Sequence, residues 1–181
     1  MPTNVALQSE GGDPLAAFAR AALVDAGAAD ALVRATQSDV LRLCRSLTDA
    51  DMAEDVAQEA FLRVFAALPA FRYETTVRIW ILSIARRTAM DHLRRVVRRR
   101  RLAIMSRATH VEEHARLDSS VEADDLLLRL RPERRAAFVL TQLLGLSYEE
   151  AAEVSRCPVG TIRSRVARAR ADLVELVTGS S

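Results

Sequence analysis

Lysine is missing from this chain: all 26 of its basic residues are arginine. Aromatic residues are scarce too, at 4% of the sequence, which argues against a β-sandwich, whose core wants aromatic and β-branched side chains in alternating runs. The apolar half, dominated by Ala, Leu and Val, suits packed helices instead. Cysteine is limited to Cys44 and Cys157, far apart and without the paired spacing of a zinc site or redox motif, so both are read as reduced thiols with no special role. No stretch approaches the roughly 20 uninterrupted apolar residues of a membrane helix. Residues 1–14 lack the basic-then-apolar order of a secretory signal, and the expectation is a cytoplasmic protein without metal or cofactor.

What is present is a chain of 181 residues, enough for one ordinary domain or two small ones. Its net charge of +2 conceals an uneven distribution, because the arginines gather in two places. A guanidinium is a planar fork that binds phosphates and guanine edges bidentately, so such clusters point toward nucleic acid. A genome rich in G and C inflates Arg and Ala together, which accounts for much of the total but not for the clustering.

Residues 1–14, with Gly11 and Gly12 and little apolar content, read as a disordered lead. Helical periodicity begins over 15–26 and 30–47, where Val40, Leu43, Cys44 and Leu47 recur at i, i+3, i+4 and i+7. A second helix carries a continuous stripe of Ala53, Val56, Ala57, Ala60, Phe61, Val64, Phe65 and Leu68; Pro69 ends it, and Asp49 or Asp51 can cap its start. A third spans 76–97, with Leu82, Ala85, Ala89, Leu93 and Val96 on one face and Arg87, Asp91, Arg94, Arg95 and Arg98 on another. From 98 to 125 the rhythm fades into an arginine run and then polar residues, which reads as a linker between two helical domains. The helical pattern resumes over 126–144, with Pro132 near a start and Gly145 just past an end, and two more helices follow.

The sharpest local signal lies in those last two helices. Ser147 and Glu150 have the spacing of a capping box, in which each side chain satisfies a free backbone N–H, and they predict a short helix over 148–155. Cys157-Pro158-Val159-Gly160 breaks it, and a longer helix starts near Gly160 or Thr161, which is helix-turn-helix spacing. Ile162, Val166, Ala169 and Leu173 line the buried face of this helix, while Thr161, Ser164, Ala167 and Arg168 point away, flanked by Arg163, Arg165 and Arg170. Small residues for close approach, hydrogen-bonding side chains for base edges and cations for phosphates are what a recognition helix needs. The plainer reading of the same residues is a helical hairpin with a solvated arginine face.

Two segments resemble the signature regions of extracytoplasmic-function sigma factors, the small sigma-70 relatives that keep only regions 2 and 4. Ala53-Glu54-Asp55-Val56-Ala57-Gln58-Glu59-Ala60-Phe61-Leu62-Arg63 is similar to their core-binding helix. Phe71-Arg72, Trp80 to Ala85 and Met90-Asp91-His92-Leu93-Arg94-Arg95 resemble the promoter-melting stretch. Gly145-Leu146-Ser147-Tyr148-Glu149-Glu150 and Cys157-Pro158-Val159-Gly160-Thr161-Ile162-Arg163-Ser164-Arg165 resemble region 4, and Leu140-Thr141-Gln142-Leu143-Leu144 is similar to the actinobacterial sigma-C-like group. Tyr73 and Glu74 stand where the family often has Gly and Asp, and Ile79 where Thr is common.

The resemblance implies an all-α fold of two small helical domains joined by a flexible linker: region 2 over 15–97, the linker over 98–125 and region 4 over 126–178. It implies no catalysis by this chain. Its partners would be core RNA polymerase, through the β′ clamp helices and the β subunit, promoter DNA, and an anti-sigma factor. Asp55, Gln58, Glu59 and Leu62, a stripe opposite the apolar one, would dock on polymerase. Phe71, Arg72, Tyr73, Arg87, Asp91, Arg94 and Arg95 would open the minus-ten element and hold its strand, with Trp80 read as core. Thr161, Arg163, Ser164, Arg165 and Arg168 would read the minus-thirty-five element.

Two competing readings remain. A helix-turn-helix regulator that never joins polymerase would have no use for the Asp55, Gln58, Glu59, Leu62 stripe. His110-Val111-Glu112-Glu113-His114 fits the H-x-x-E-H pattern of inverted zinc peptidases, but it lies in the expected linker without an apolar stripe or a third ligand. His92 is read as a polar surface or capping residue, because no other ligand type lies at metal spacing on its helix.

Overall fold

The computed structural model describes residues 13–106 and 122–178, and every regular element among them is helical. The chain opens with α1 (Ala16–Ala21) and turns into α2 (Ala26–Leu47). Asp25 makes that turn a helix start, because its carboxylate accepts the backbone N–H groups of Gly27 at 3.0 Å and Ala28 at 3.2 Å. The helix therefore begins at Ala26, ahead of the apolar stripe that marks it from position 30. Along α2, Leu32, Thr36, Val40, Leu43, Cys44 and Leu47 are buried, and the Thr36 hydroxyl is satisfied by donating to the Leu32 carbonyl at 2.8 Å.

A 3-10 turn (Ala50–Met52) leads into α3 (Ala53–Ala67). Neither Asp49 nor Asp51 caps α3: its first flanking residue is Met52, and the 3-10 turn delivers the chain already in helical geometry. Pro69 lies in the 3-10 turn (Leu68–Ala70) that ends it. Then α4 (Val77–Ser106) runs on well past position 97, where a linker was expected to begin. The arginine run contains neither Gly nor Pro and arginine favours helix, so the apolar stripe fades while the helix continues. α2, α3 and α4 pack together around Leu43, Val56, Ala60, Val64, Ile81, Leu82 and Ala85, each of the larger ones contributing about 1.5–3 kcal/mol by burial.

The second half comprises α5 (Glu122–Arg129), α6 (Pro132–Phe138), a π-helical turn (Val139–Leu143), α7 (Tyr148–Ser155) and α8 (Val159–Thr178). Pro132 opens α6, as its position near a helix start predicts, and it holds the preceding Arg131 at ψ 136°, out of the helical region, which separates α6 from α5. Gly145 turns the chain into α7 with φ 70°, a left-handed conformation natural to glycine. Of the lead expected over 1–14, residues 1–12 lie outside the described residues, as does the 107–121 part of the expected linker, including His110 to His114; Asp13 is held in place, its carboxylate accepting from the Leu15 and Val77 N–H groups.

Buried side chains of the two halves form one continuous core, with α4 against α7 and α2 against α5 and α6. Arg78 ties the halves: its guanidinium donates to Asp39 at 2.8 Å and to the Leu144 carbonyl at 2.8 Å. Arg42 donates to the Leu143 carbonyl at 3.2 Å. Arg135 is 4% exposed, yet its Nε and Nη1 have no hydrogen-bond partner. Burial pushes its guanidinium below the usual range, with Asp49 opposing the shift.

Candidate nucleic-acid interface

The capping box forms as its spacing predicts: Ser147 Oγ accepts from the Glu150 N–H at 3.1 Å, and Glu150 accepts from the Ser147 N–H at 2.7 Å. α7 ends at Arg156, whose φ of 51° is left-handed, and the Cys157 N–H reaches back to the Ala152 carbonyl at 3.1 Å. That turn releases α8, which buries Ile162, Val166 and Ala169 against the core and leaves its other face to solvent.

On that outer face Arg163, Ser164 and Arg168 are exposed and Thr161 is half-buried. Ser164 donates to the Thr161 carbonyl at 3.0 Å, and Arg163 lies 3.8 Å from Glu149 and 6.0 Å from the centre of the Tyr148 ring. Arg165 is set apart: it is half-buried and donates to Cys157 Sγ at 3.6 Å, on the side that faces α4. Arg170 donates to Gln142 Oε1 at 2.7 Å.

In the first half, Asp55, Gln58 and Leu62 stand in solvent on α3, with Leu62 67% exposed despite being a large apolar residue. Glu59 differs. It pairs with Arg63 and lies 3.6 Å from Arg95 of α4. Arg63 lies 3.8 Å from Asp91, which holds Arg94 at 2.9 Å. Residues expected on two separate surfaces, Glu59 on one and Asp91, Arg94 and Arg95 on the other, are therefore joined in one ion network, each solvent-screened pair contributing up to about 1 kcal/mol. Arg63 completes that network, and its i, i+4 spacing from Glu59 is the sequence signal that would have found it.

Phe71 stacks on Trp80, with ring centres 4.3 Å apart, and lies 4.6 Å from Tyr73; all three are partly buried against the core. Arg20 caps the Tyr73 ring at 4.6 Å. Tyr73 adopts φ 58°, a left-handed backbone that favours glycine, with its ring between Phe71 and Arg20. Ile79 is buried. Arg72 and Arg87 are exposed, and His92 is half-buried. Among the described residues no group of three or more His, Cys, Asp or Glu is arranged to hold a metal, and no helix is long and apolar enough to cross a membrane.

A helical domain followed by a helix-turn-helix with an arginine-rich outer face defines a DNA-binding protein of the transcription machinery. Residues 32–101 match the Sigma-70 region 2 family and residues 120–173 match Sigma-70, region 4. The ECF RNA polymerase sigma factor SigC of Mycobacterium tuberculosis is 46% identical over 147 residues, covering 79% of this chain and 80% of its own. The RNA polymerase sigma-H factor of Pseudomonas aeruginosa is 38% identical over 164 residues, covering 81% and 84%. Among solved structures, the sigma factor RpoE bound to the anti-sigma factor NepR, from Bartonella quintana, has a TM-score of 0.68 at 28% identity over 81% of this chain and 94% of that one. CnrH bound to the cytosolic domain of CnrY has a TM-score of 0.69 at 26% identity, over 91% and 96%. The chain belongs to the sigma-70 family of RNA polymerase sigma factors, in its extracytoplasmic-function branch.

Proposed function

We propose that this chain acts in the cytoplasm, has no catalytic activity of its own, and directs core RNA polymerase to promoters through three surfaces. Asp55, Gln58, Glu59 and Leu62 dock on the β′ clamp helices, with a second contact to the β subunit. Phe71, Arg72, Tyr73, Arg87, Asp91, Arg94 and Arg95 engage and open the minus-ten element. Thr161, Arg163, Ser164, Arg165 and Arg168 read the minus-thirty-five element. The functional division is region 2 over 15–97 and region 4 over 126–178, with 98–125 between them.

The observation that carries this reading is the coexistence of an exposed Leu62 on the same face of α3 as the exposed Asp55 and Gln58, and an exposed arginine face on a capped helix-turn-helix. A regulator that ignores polymerase explains the second surface and leaves the first without purpose. An anti-sigma partner for this chain is part of the proposal, supported by the two sigma folds that were solved with such partners or a companion domain.

Transcription in vitro with core polymerase over a pool of random promoters tests it. RNA should start at a defined promoter class only when the chain is added. Arg168→Ala should change the preferred upstream sequence, since base contacts set choice while phosphate contacts set overall affinity. Uniform loss at all sequences would remove Arg168 from base reading, and no RNA at any sequence would overturn the proposal.

A further inference from the structure

Where α7 lies on α4, the two halves of the chain enclose a cleft of about 390 Å³, near the lower end of small-ligand sites. Its wall takes Ser83, Arg86, Arg87, Asp91 and Arg94 from α4 and Arg156 from the end of α7. Asp91 neutralises Arg94 at 2.9 Å. Among the described residues, no ion pair and no side-chain hydrogen bond engages Arg86, Arg87 or Arg156. Arg86 Nε is sealed from solvent with no partner. Burial lowers the Arg86 guanidinium from its usual range, and Arg165, approaching from α8, lowers it further. Docking the halves has gathered Arg86, Arg87 and Arg156 around one small space, where Glu133 of the second half offsets only part of the charge on Arg86.

We infer that this cleft is an anion site for a compact, multiply charged phosphate group, either the di- or triphosphate of a nucleotide or its inorganic equivalent, held between the two domains. The guanidinium fork matches phosphate oxygens bidentately, and cations from three separate backbone positions suit a ligand with charge spread over several oxygens. A single carboxylate meets one of them and leaves the others repelling. Because Arg156 belongs to one half and Arg86 and Arg87 to the other, the ligand binds the docked arrangement better than a separated one. Ligand and docking must then favour each other by the same factor. Arg87, Asp91 and Arg94 of this wall are also among the residues proposed above to hold the promoter strand, so ligand and strand compete for them. That competition rests on the promoter reading; the binding itself does not.

Calorimetric titration of the full chain with inorganic tripolyphosphate at low chloride, beside a nucleoside triphosphate, tests the site. The expected result is one saturable site, weakened at least tenfold in Arg156→Gly and by less than twofold in Arg129→Ala, which removes an exposed arginine from α5, away from the cleft. Arg156→Gly relieves a left-handed backbone position, so a thermal melt at or above that of the parent separates lost binding from lost folding. Tighter binding of the nucleotide identifies a contribution from the base, and equal binding identifies the phosphates alone; both support the site. No saturable binding, or equal weakening in both variants, would overturn it, the latter by showing only general attraction of a polyanion to a basic surface. Failure of the chain to bind promoter strand would sink the promoter reading and leave this result intact.

Discussion

Arg156 holds φ 51° at the end of α7, a conformation that a side chain with Cβ disfavours by roughly 1–2 kcal/mol. Its guanidinium has no ion pair among the described residues, and glycine is the residue this kind of helix end prefers. Arg156→Gly is therefore expected to raise stability by about 0.5–1 kcal/mol after the added freedom of the unfolded chain is subtracted, read as a higher Tm in a thermal melt. A lower Tm would mean the side chain makes a stabilising contact. The two thiols differ at the same scale. Cys44 is fully buried, and burial pushes its thiol up to about 12 from 9.0, so at pH 8 almost none is thiolate. Cys157 is half-buried at the turn of the helix-turn-helix. Since the thiolate is the reactive form, iodoacetamide at pH 8 should label Cys157 in the native protein and Cys44 only after denaturant is added. Equal labelling rates by mass spectrometry would contradict the burial of α2.

The helix-turn-helix depends on a start signal as much as on its apolar stripe. Ser147→Ala removes the acceptor for the Glu150 N–H and, with it, half of the reciprocal pair, so the second half of the molecule should lose about 1 kcal/mol. Denaturant titration checks this, and a change below a few tenths would show that packing alone sets α7. This element was legible in the sequence because Ser147, Glu150 and Gly145 each act locally and carry their own signature. So was the outer face of α8, fixed by Ile162, Val166 and Ala169 at helical spacing. The start of α2 was not, because Asp25 lies ahead of the stripe, and the end of α4 was not, because a run of arginines leaves no apolar periodicity. The π-helical turn at Val139–Leu143 had no signal either: an i to i+5 bond, from the Leu144 N–H to the Val139 carbonyl at 2.9 Å, is a response to packing before the tight turn at Gly145. At the candidate site, pattern found the exposed residues and missed the partners. Arg78 and Arg86 look like any other arginine until the second half of the chain packs on them, and Arg135 until the first half packs on it.

At the scale of the whole molecule, docking of the two halves combines favourable and unfavourable contacts. Arg78 supports it, joining Asp39 of α2 to the Leu144 carbonyl of the second half while only partly exposed. Arg135 opposes it on balance, because burying a cation with two unpartnered nitrogens costs more than the attraction of Asp49 in the first half returns. Interfaces within a chain resemble transient ones, so polar ties beside the shared apolar core bear on how readily the halves part. Arg78→Ala leaves a carbonyl and a carboxylate without their shared donor, and should shift the chain toward separated halves, seen as a larger radius of gyration in X-ray scattering with helix content unchanged. Arg135→Met, which keeps volume and removes the charge, should act in the opposite sense, stabilising the docked state by about 1–3 kcal/mol. The pair of variants is decisive because they change the same interface in opposite directions. If both expand the molecule, Arg135 has a stabilising role that its unpartnered nitrogens conceal; if neither does, the continuous apolar core holds the halves together without help from either arginine.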